Sequence, residues 1–131
     1  MRFNLEMKCH GARQGEAASA LAAQLAGVQP GLNMVSSFDA AFLAALQTTL
    51  PAMPRALISE GLPEDWQELA ARLGLEALHL DKDIVTPGMV EAIHSAGLRV
   101  RVWTVNEPAD MKRMIDAAVD TVITDVPEAF L

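Results

Sequence analysis

The run Asn4-Leu5-Glu6-Met7-Lys8 places an amide, a carboxylate and an ammonium at alternate positions. Side chains alternate faces along a strand, so an extended chain puts Asn4, Glu6 and Lys8 on one face and Phe3, Leu5 and Met7 on the other. Two chemistries suit that polar line. Glu6 and Lys8 can form a structural ion pair, or Glu6 can hold a hard divalent cation while Lys8 meets a phosphate. A carboxylate on a strand covered by helices is costly to bury unless it is paired or metal-bound. Both readings meet that condition, and spacing does not separate them.

Two further runs can do chemistry. In Arg101-Val102-Trp103-Thr104-Val105-Asn106, Arg101 and Trp103 share a strand face. Trp103 can floor a substrate pocket or fill core. Val35-Ser36-Ser37-Phe38-Asp39 reads as a strand end feeding a capped helix. It is either a phosphate-contacting turn or plain capping. Three histidines remain. His10 follows Lys8 closely, His79 precedes Asp81 by two residues on a strand, and His94 falls on the outer side of a helix. None has a Ser or Cys partner at a recognisable nucleophile spacing. The chain has no GxSxG, CxxC, HExxH or Walker loop.

These residues need elements to hold them. Short β-rich runs cover 3–8, 33–37, 55–59, 76–81, 99–105 and 121–125. Between them apolar residues recur at helical spacing: Ala18, Leu21, Leu25 and Val28; Phe42, Leu43, Leu46 and Leu50; Trp66, Leu69, Ala70 and Leu73; Met89, Val90, Ile93 and Gly97; Met111, Met114, Ile115 and Ala118. Gly27, Gly74 and Gly97 suit helix C-termini. Asp39 and Asn106 suit helix starts, and Pro87 and Pro108 suit first turns. A short helical stub is expected at 127–131. Strand–helix alternation predicts an α/β fold with a parallel sheet. Polar residues close the strands at Lys8, Ser37, Ser59, Asp81, Thr104 and Asp125, at spacings of 29, 22, 22, 23 and 21 residues. In a parallel α/β fold the strand C-termini build the active face. A strand end meeting a loop also turns polar for no chemical reason.

Composition narrows the function classes. The 131 residues carry a net charge of -7, which disfavours a nucleic-acid partner. No apolar run approaches the roughly 20 residues of a membrane span. MRFNLEMK has no apolar core of a secretory signal. The lone Cys9 cannot form an internal disulfide. A cytoplasmic protein is expected.

The motifs also carry a resemblance. NLEMK, then VSSFD, then ALHLD, then TPGMVEAIHSAGLRVRVWTVNEPADMKRMIDAAVDTVITDVPEAF resemble, in order, the glycerophosphodiester phosphodiesterase family, from Asn4 to about Phe130. The resemblance implies a (β/α)₈ barrel that hydrolyses glycerophosphodiesters to glycerol 3-phosphate and an alcohol, with a divalent cation, Mg²⁺ or Ca²⁺. It implies that Glu6 is a metal ligand, that Lys8 lies near the phosphate, and that Phe38 and Trp103 wall the substrate pocket. Asn106 and Asp125 match motif positions read as structural.

A closed barrel takes about 250 residues. The family's opening His-Arg-Gly strand, its Glu-x-Asp strand and its His-Asp pair have no counterpart in this sequence. The resemblance therefore implies an incomplete (β/α)₈ barrel over 1–131, lacking its first two strands, with six parallel strands alternating with helices. No catalytic residue is assigned, since His10, His79 and His94 do not match the catalytic positions. The expectations are an incomplete cation site, little or no hydrolysis by this chain, and a homo-oligomer through open sheet edges. The alternative is a non-catalytic module of the same family, binding phosphate ligands or serving assembly. A chain shortened from a longer enzyme accounts for the same pattern.

Overall fold

The computed structural model describes residues 3–11 and 13–131. They fall into two compact units. The first holds the described residues up to Ile58 together with Gln67–Glu76, and the second holds Ser59–Trp66 and Ala77–Leu131.

The first unit contains strands β1 (Phe3–Glu6), β2 (Asn33–Ser37) and nearly all of β3 (Arg55–Ser59). Both pairings are parallel, with Glu6 opposite Ser36 and Ser37 opposite Leu57. Parallel neighbours need a crossover, and helices supply it. Helix α1 (Gln14–Gln24) returns the chain from β1, and α2 (Ala40–Thr49) from β2. A short 3₁₀ turn, Pro30–Leu32, leads into β2. In α2 the i, i+1, i+4 stripe of Phe42, Leu43 and Leu46 is fully buried. Each such side chain contributes about 1.5–3 kcal/mol by leaving water. Helix α1 buries less of its surface. Of its expected face only Ala18 is fully buried, and Val28 lies past the helix end, 38% exposed.

Helix α3 (Trp66–Leu73) ends at Gly74, with φ of +57°. A Cβ there would meet Arg55 Nη2 and Gln47 Nε2 at 3.0 Å, so the position is closed to a side chain on two counts. Arg55 itself is buried. Its guanidinium donates to the carbonyls of Leu73, Met53 and Pro51 at 3.1, 2.9 and 3.1 Å. A cation thus meets the free carbonyls at a helix C-terminus and pins the loop before β3.

The second unit contains β4 (Ala77–Asp81), α4 (Pro87–Ser95), β5 (Arg99–Trp103), α5 (Pro108–Asp116) and β6 (Thr121–Val122). Its strand pairings are parallel as well. Leu78, Leu80, Val90, Ile93, Val100, Val102 and Met114 form its core. Thr86 caps α4 through Met89 N–H, ahead of Pro87 in the first turn. Both helices end alike. Leu98 N–H bonds Ile93 and Val119 N–H bonds Met114, with Gly97 and Ala118 at positive φ between. The expected apolar face 111, 114, 115, 118 is therefore corrected at its end. Ala118 is the left-handed residue after the helix, and Ile115 is 68% exposed.

The strand reading holds with shorter ends. β1 stops at Glu6 instead of 8, β5 at Trp103 instead of 105, and β6 at Val122 instead of 125. Single backbone bonds continue each ladder: Met7 N–H to Ser36, Val105 N–H to Ile123 and Ile123 N–H to Val102. The closing stub is the 3₁₀ turn Pro127–Phe130. Among the described residues no helix is long and apolar enough to cross a membrane.

Candidate functional site

The polar line on β1 ends at a cleft of about 230 Å³ in the first unit. Glu6, Met7, Lys8, Cys9, His10, Ser37, Phe38 and Asp39 line it. Glu6 Oε1 and Lys8 Nζ lie 3.9 Å apart, with side chains 40% and 72% exposed. Sequence alternation brought these two to one side, as expected. The cost of burying Glu6 does not arise here, because water reaches it. Asn4, the third member of the line, is engaged structurally: its amide donates to Ser36 Oγ at 3.1 Å.

The 35–39 run positions the cleft and makes the cap. Asp39 Oδ1 accepts from Phe42 N–H at 2.9 Å and closes the first turn of α2. Its other oxygen accepts from Gln14 Nε2 at 3.1 Å, so the same carboxylate ties the start of α1. Ser37 Oγ donates to the Met7 carbonyl at 2.7 Å and accepts from Asp39 N–H at 3.1 Å. Its one proton is committed to Met7, so capping is the reading the structure supports for this run. Phe38 projects past the strand end, 51% exposed, at the cleft.

His10, which follows Lys8 closely in sequence, lines the cleft, and so does Cys9. Burial, and then the Asp39 carboxylate, hold the Cys9 thiol above its ordinary pKa. At neutral pH Cys9 is a protonated thiol and a poor nucleophile. Among the described residues no three of His, Cys, Asp and Glu converge to hold a metal ion. Glu6 offers one carboxylate, and a hard divalent cation needs several oxygens around it. The residues present do not by themselves fit the implied cation.

Trp103 lies in the second unit. It is half-buried, and its Nε1 donates to the His79 carbonyl at 3.2 Å. His79 sits opposite Arg101 and Asp81 opposite Trp103 across the β4–β5 pair. The His79 side chain is 1% exposed, and among the described residues its Nε2 finds no hydrogen-bond partner. Burial, and then the charge of Arg101, push its pKa down to about 4. His79 is thus a neutral core histidine. His94 bonds Asp120 Oδ2 at 2.8 Å, and the same oxygen accepts from Val100 N–H at 2.7 Å.

The late motif residues Asn106 and Asp125 bond to each other. The Asn106 amide donates to Asp125 Oδ2 at 3.0 Å. Its oxygen accepts from Asp125 N–H at 3.0 Å and Thr124 Oγ1 at 3.1 Å. Asn106 does not cap α5; Glu107 holds that position. Asp81 Oδ1 takes the N–H of Asp83 at 2.8 Å in a tight turn. Several of the polar strand ends therefore spend themselves on local turns.

Residues 4–129 match the family model described as the glycerophosphoryl diester phosphodiesterase family. The chain belongs to that family. A glycerophosphodiester phosphodiesterase of Caldanaerobacter subterraneus is 34% identical over 99 residues, which is 75% of this chain and 40% of that protein. The structure of an Oleispira antarctica phosphodiesterase in complex with the product sn-glycerol-3-phosphate is similar, with a TM-score of 0.91 and 25% identity. It covers 98% of this chain, which matches 53% of that one. A Parabacteroides distasonis glycerophosphodiester phosphodiesterase has a TM-score of 0.86 at 24% identity over 98% of this chain and 55% of its own. That last likeness bears on the fold alone. The chain spans 40%, 53% and 55% of the lengths of these three proteins. In each unit parallel strands alternate with helices, the α/β class expected.

Proposed function

We propose that the cleft at the end of β1 binds the phosphate of a glycerophosphodiester. Lys8 neutralises the phosphoryl oxygens, and Phe38 covers the carbon skeleton. The observation that carries this is the placement of Glu6, Lys8 and Phe38 on one cleft, in a chain of this family. The reaction served is the family's metal-dependent hydrolysis to glycerol 3-phosphate and an alcohol, with residues 1–131 acting as part of the barrel domain. Trp103 is assigned to the substrate side of the second unit.

Hydrolysis needs charge neutralisation, an activated nucleophile and a protonated leaving group. Lys8 supplies the first. A divalent cation such as Mg²⁺ or Ca²⁺ would add to that charge neutralisation only if oxygens beyond these residues helped to hold it. Glu6 is its candidate ligand, and one carboxylate is too few to hold it without other oxygens. We therefore expect binding without turnover from these 131 residues. A non-catalytic phosphate-binding or assembly module is the second reading, favoured by the bonded state of the polar strand ends. Self-association through the edge strand β1, where Phe3 is 54% exposed, accompanies either reading.

Titration of the chain with glycerol 3-phosphate and glycerophosphocholine, with Mg²⁺ present, tests the proposal. At about 4 Å in water-like surroundings two unit charges interact by about 1 kcal/mol, and a phosphate carries nearly two. Lys8→Met should thus weaken binding about tenfold. Equal affinity of wild type and variant refutes the role of Lys8. Sustained release of p-nitrophenol from bis(p-nitrophenyl) phosphate refutes the expectation of no turnover. Light scattering that finds only monomer at high concentration removes the oligomer.

A further inference from the structure

Strands β1 and β2 run parallel up to Ser36, and there the two chains part. The last backbone bond of the pair is Met7 N–H to the Ser36 carbonyl, at 2.8 Å. Strand β2 ends at Ser37, and the Asp39 N–H points back to Ser37 Oγ at 3.1 Å. The Ser37 hydroxyl donates to the Met7 carbonyl at 2.7 Å. Ser37 is 1% exposed, so water does not compete for this bond.

Met7 stands between Glu6 and Lys8. With its N–H held by Ser36 and its C=O held by Ser37, both ends of the residue are anchored. The orientation of a carbonyl is set by ψ of its own residue, and ψ of Met7 decides on which side Lys8 emerges relative to Glu6. The helix cap does not explain the hydroxyl, because Asp39 caps α2 with its own carboxylate.

We propose that Ser37 is a positioning residue whose hydroxyl holds Lys8 beside Glu6 at the cleft. The inference rests on the reading of Lys8 as the phosphate-facing cation. It assigns the serine of the 35–39 run a task distinct from phosphate contact.

The test uses the full chain, labelled with ¹⁵N and ¹³C, titrated with glycerol 3-phosphate and Mg²⁺. Ser37→Ala should weaken binding about tenfold, equivalent to ~1.4 kcal/mol. Ser37→Thr, which keeps the hydroxyl, should restore it to within about threefold of wild type. In the Lys8→Met background, Ser37→Ala should cost less than about twofold. An equal loss with and without Lys8 means that Ser37 serves the fold only, and overturns the proposal. If wild type does not bind, the phosphate reading of Lys8 fails. Positioning is then decided by the NOEs between Glu6 and Lys8 side chains and by amide exchange at Lys8. Their loss in Ser37→Ala, with the amides of the second unit unchanged, supports the proposal, and their retention overturns it. If Ser37→Ala does not fold, the near-isosteric weak donor Ser37→Cys is read by the same measurements.

Discussion

Removing the Arg55 guanidinium should destabilise the protein by about 3 kcal/mol, more than any single change at the cleft. Arg55 is 6% exposed at the start of β3. It reaches the end of α3 through Leu73, and the preceding loop through Met53 and Pro51. The bonds to Leu73 and Met53 are buried. Arg55→Met keeps the aliphatic stem but leaves those two carbonyls without a donor. Each unsatisfied buried acceptor costs about 1–3 kcal/mol. The lost cost of burying a charge offsets part of this, and that same burial holds the guanidinium pKa below its ordinary value. The sum centres near 3 kcal/mol. Arg55→Lys should recover only about 1 kcal/mol, because one ammonium cannot serve both the helix end and the loop. Urea unfolding at pH 7, followed by circular dichroism at 222 nm, measures all three proteins. A loss below about 1 kcal/mol for Arg55→Met, or a lysine variant equal to wild type, refutes the reasoning.

Two further outcomes follow from the second unit. His79 has a folded pKa of about 4 against an ordinary 6.5, so the unfolded chain takes up its proton first. Its contribution is complete above pH 6.5 and is lost as pH falls towards 4, about 3 kcal/mol in all. His79→Leu should flatten the pH dependence of urea unfolding in that window, and an unchanged slope refutes the assignment. Ala118 holds φ of +60° where Gly97 holds +80° at the matching place after α4. Ala118→Gly relieves that strain but loosens the unfolded chain, for a net gain of about 0.5 kcal/mol; a lowered melting temperature would contradict this.

What was legible in the sequence is what depends on short-range rules. Alternation put Glu6 and Lys8 on one side, and they lie 3.9 Å apart. The 3.6 period placed Phe42, Leu43 and Leu46 in the core. Asp39 capped a helix because a side-chain oxygen and free N–H groups three residues on need only local geometry. The ordered motifs from Asn4 onward carried the family, and residues 4–129 match its model.

Other features depend on which distant group arrives. Arg55 reads in sequence as an ordinary charged residue at a strand start. It is buried because the end of α3, 18 positions along the chain, presents free carbonyls to it. Ser37 reads as one of two serines ending a strand. Its bond to Met7, 30 positions away, exists because β1 and β2 are brought side by side in the sheet. His79 reads as a histidine two residues before Asp81 on a strand, and burial and the neighbouring strand's Arg101 leave it neutral. Periodicity and capping act over one turn or one pleat, so the sequence by itself determined the elements, their order and the family. Burial and long-range hydrogen bonding act across elements, so only the tertiary structure decided which polar groups line the cleft and which hold the fold.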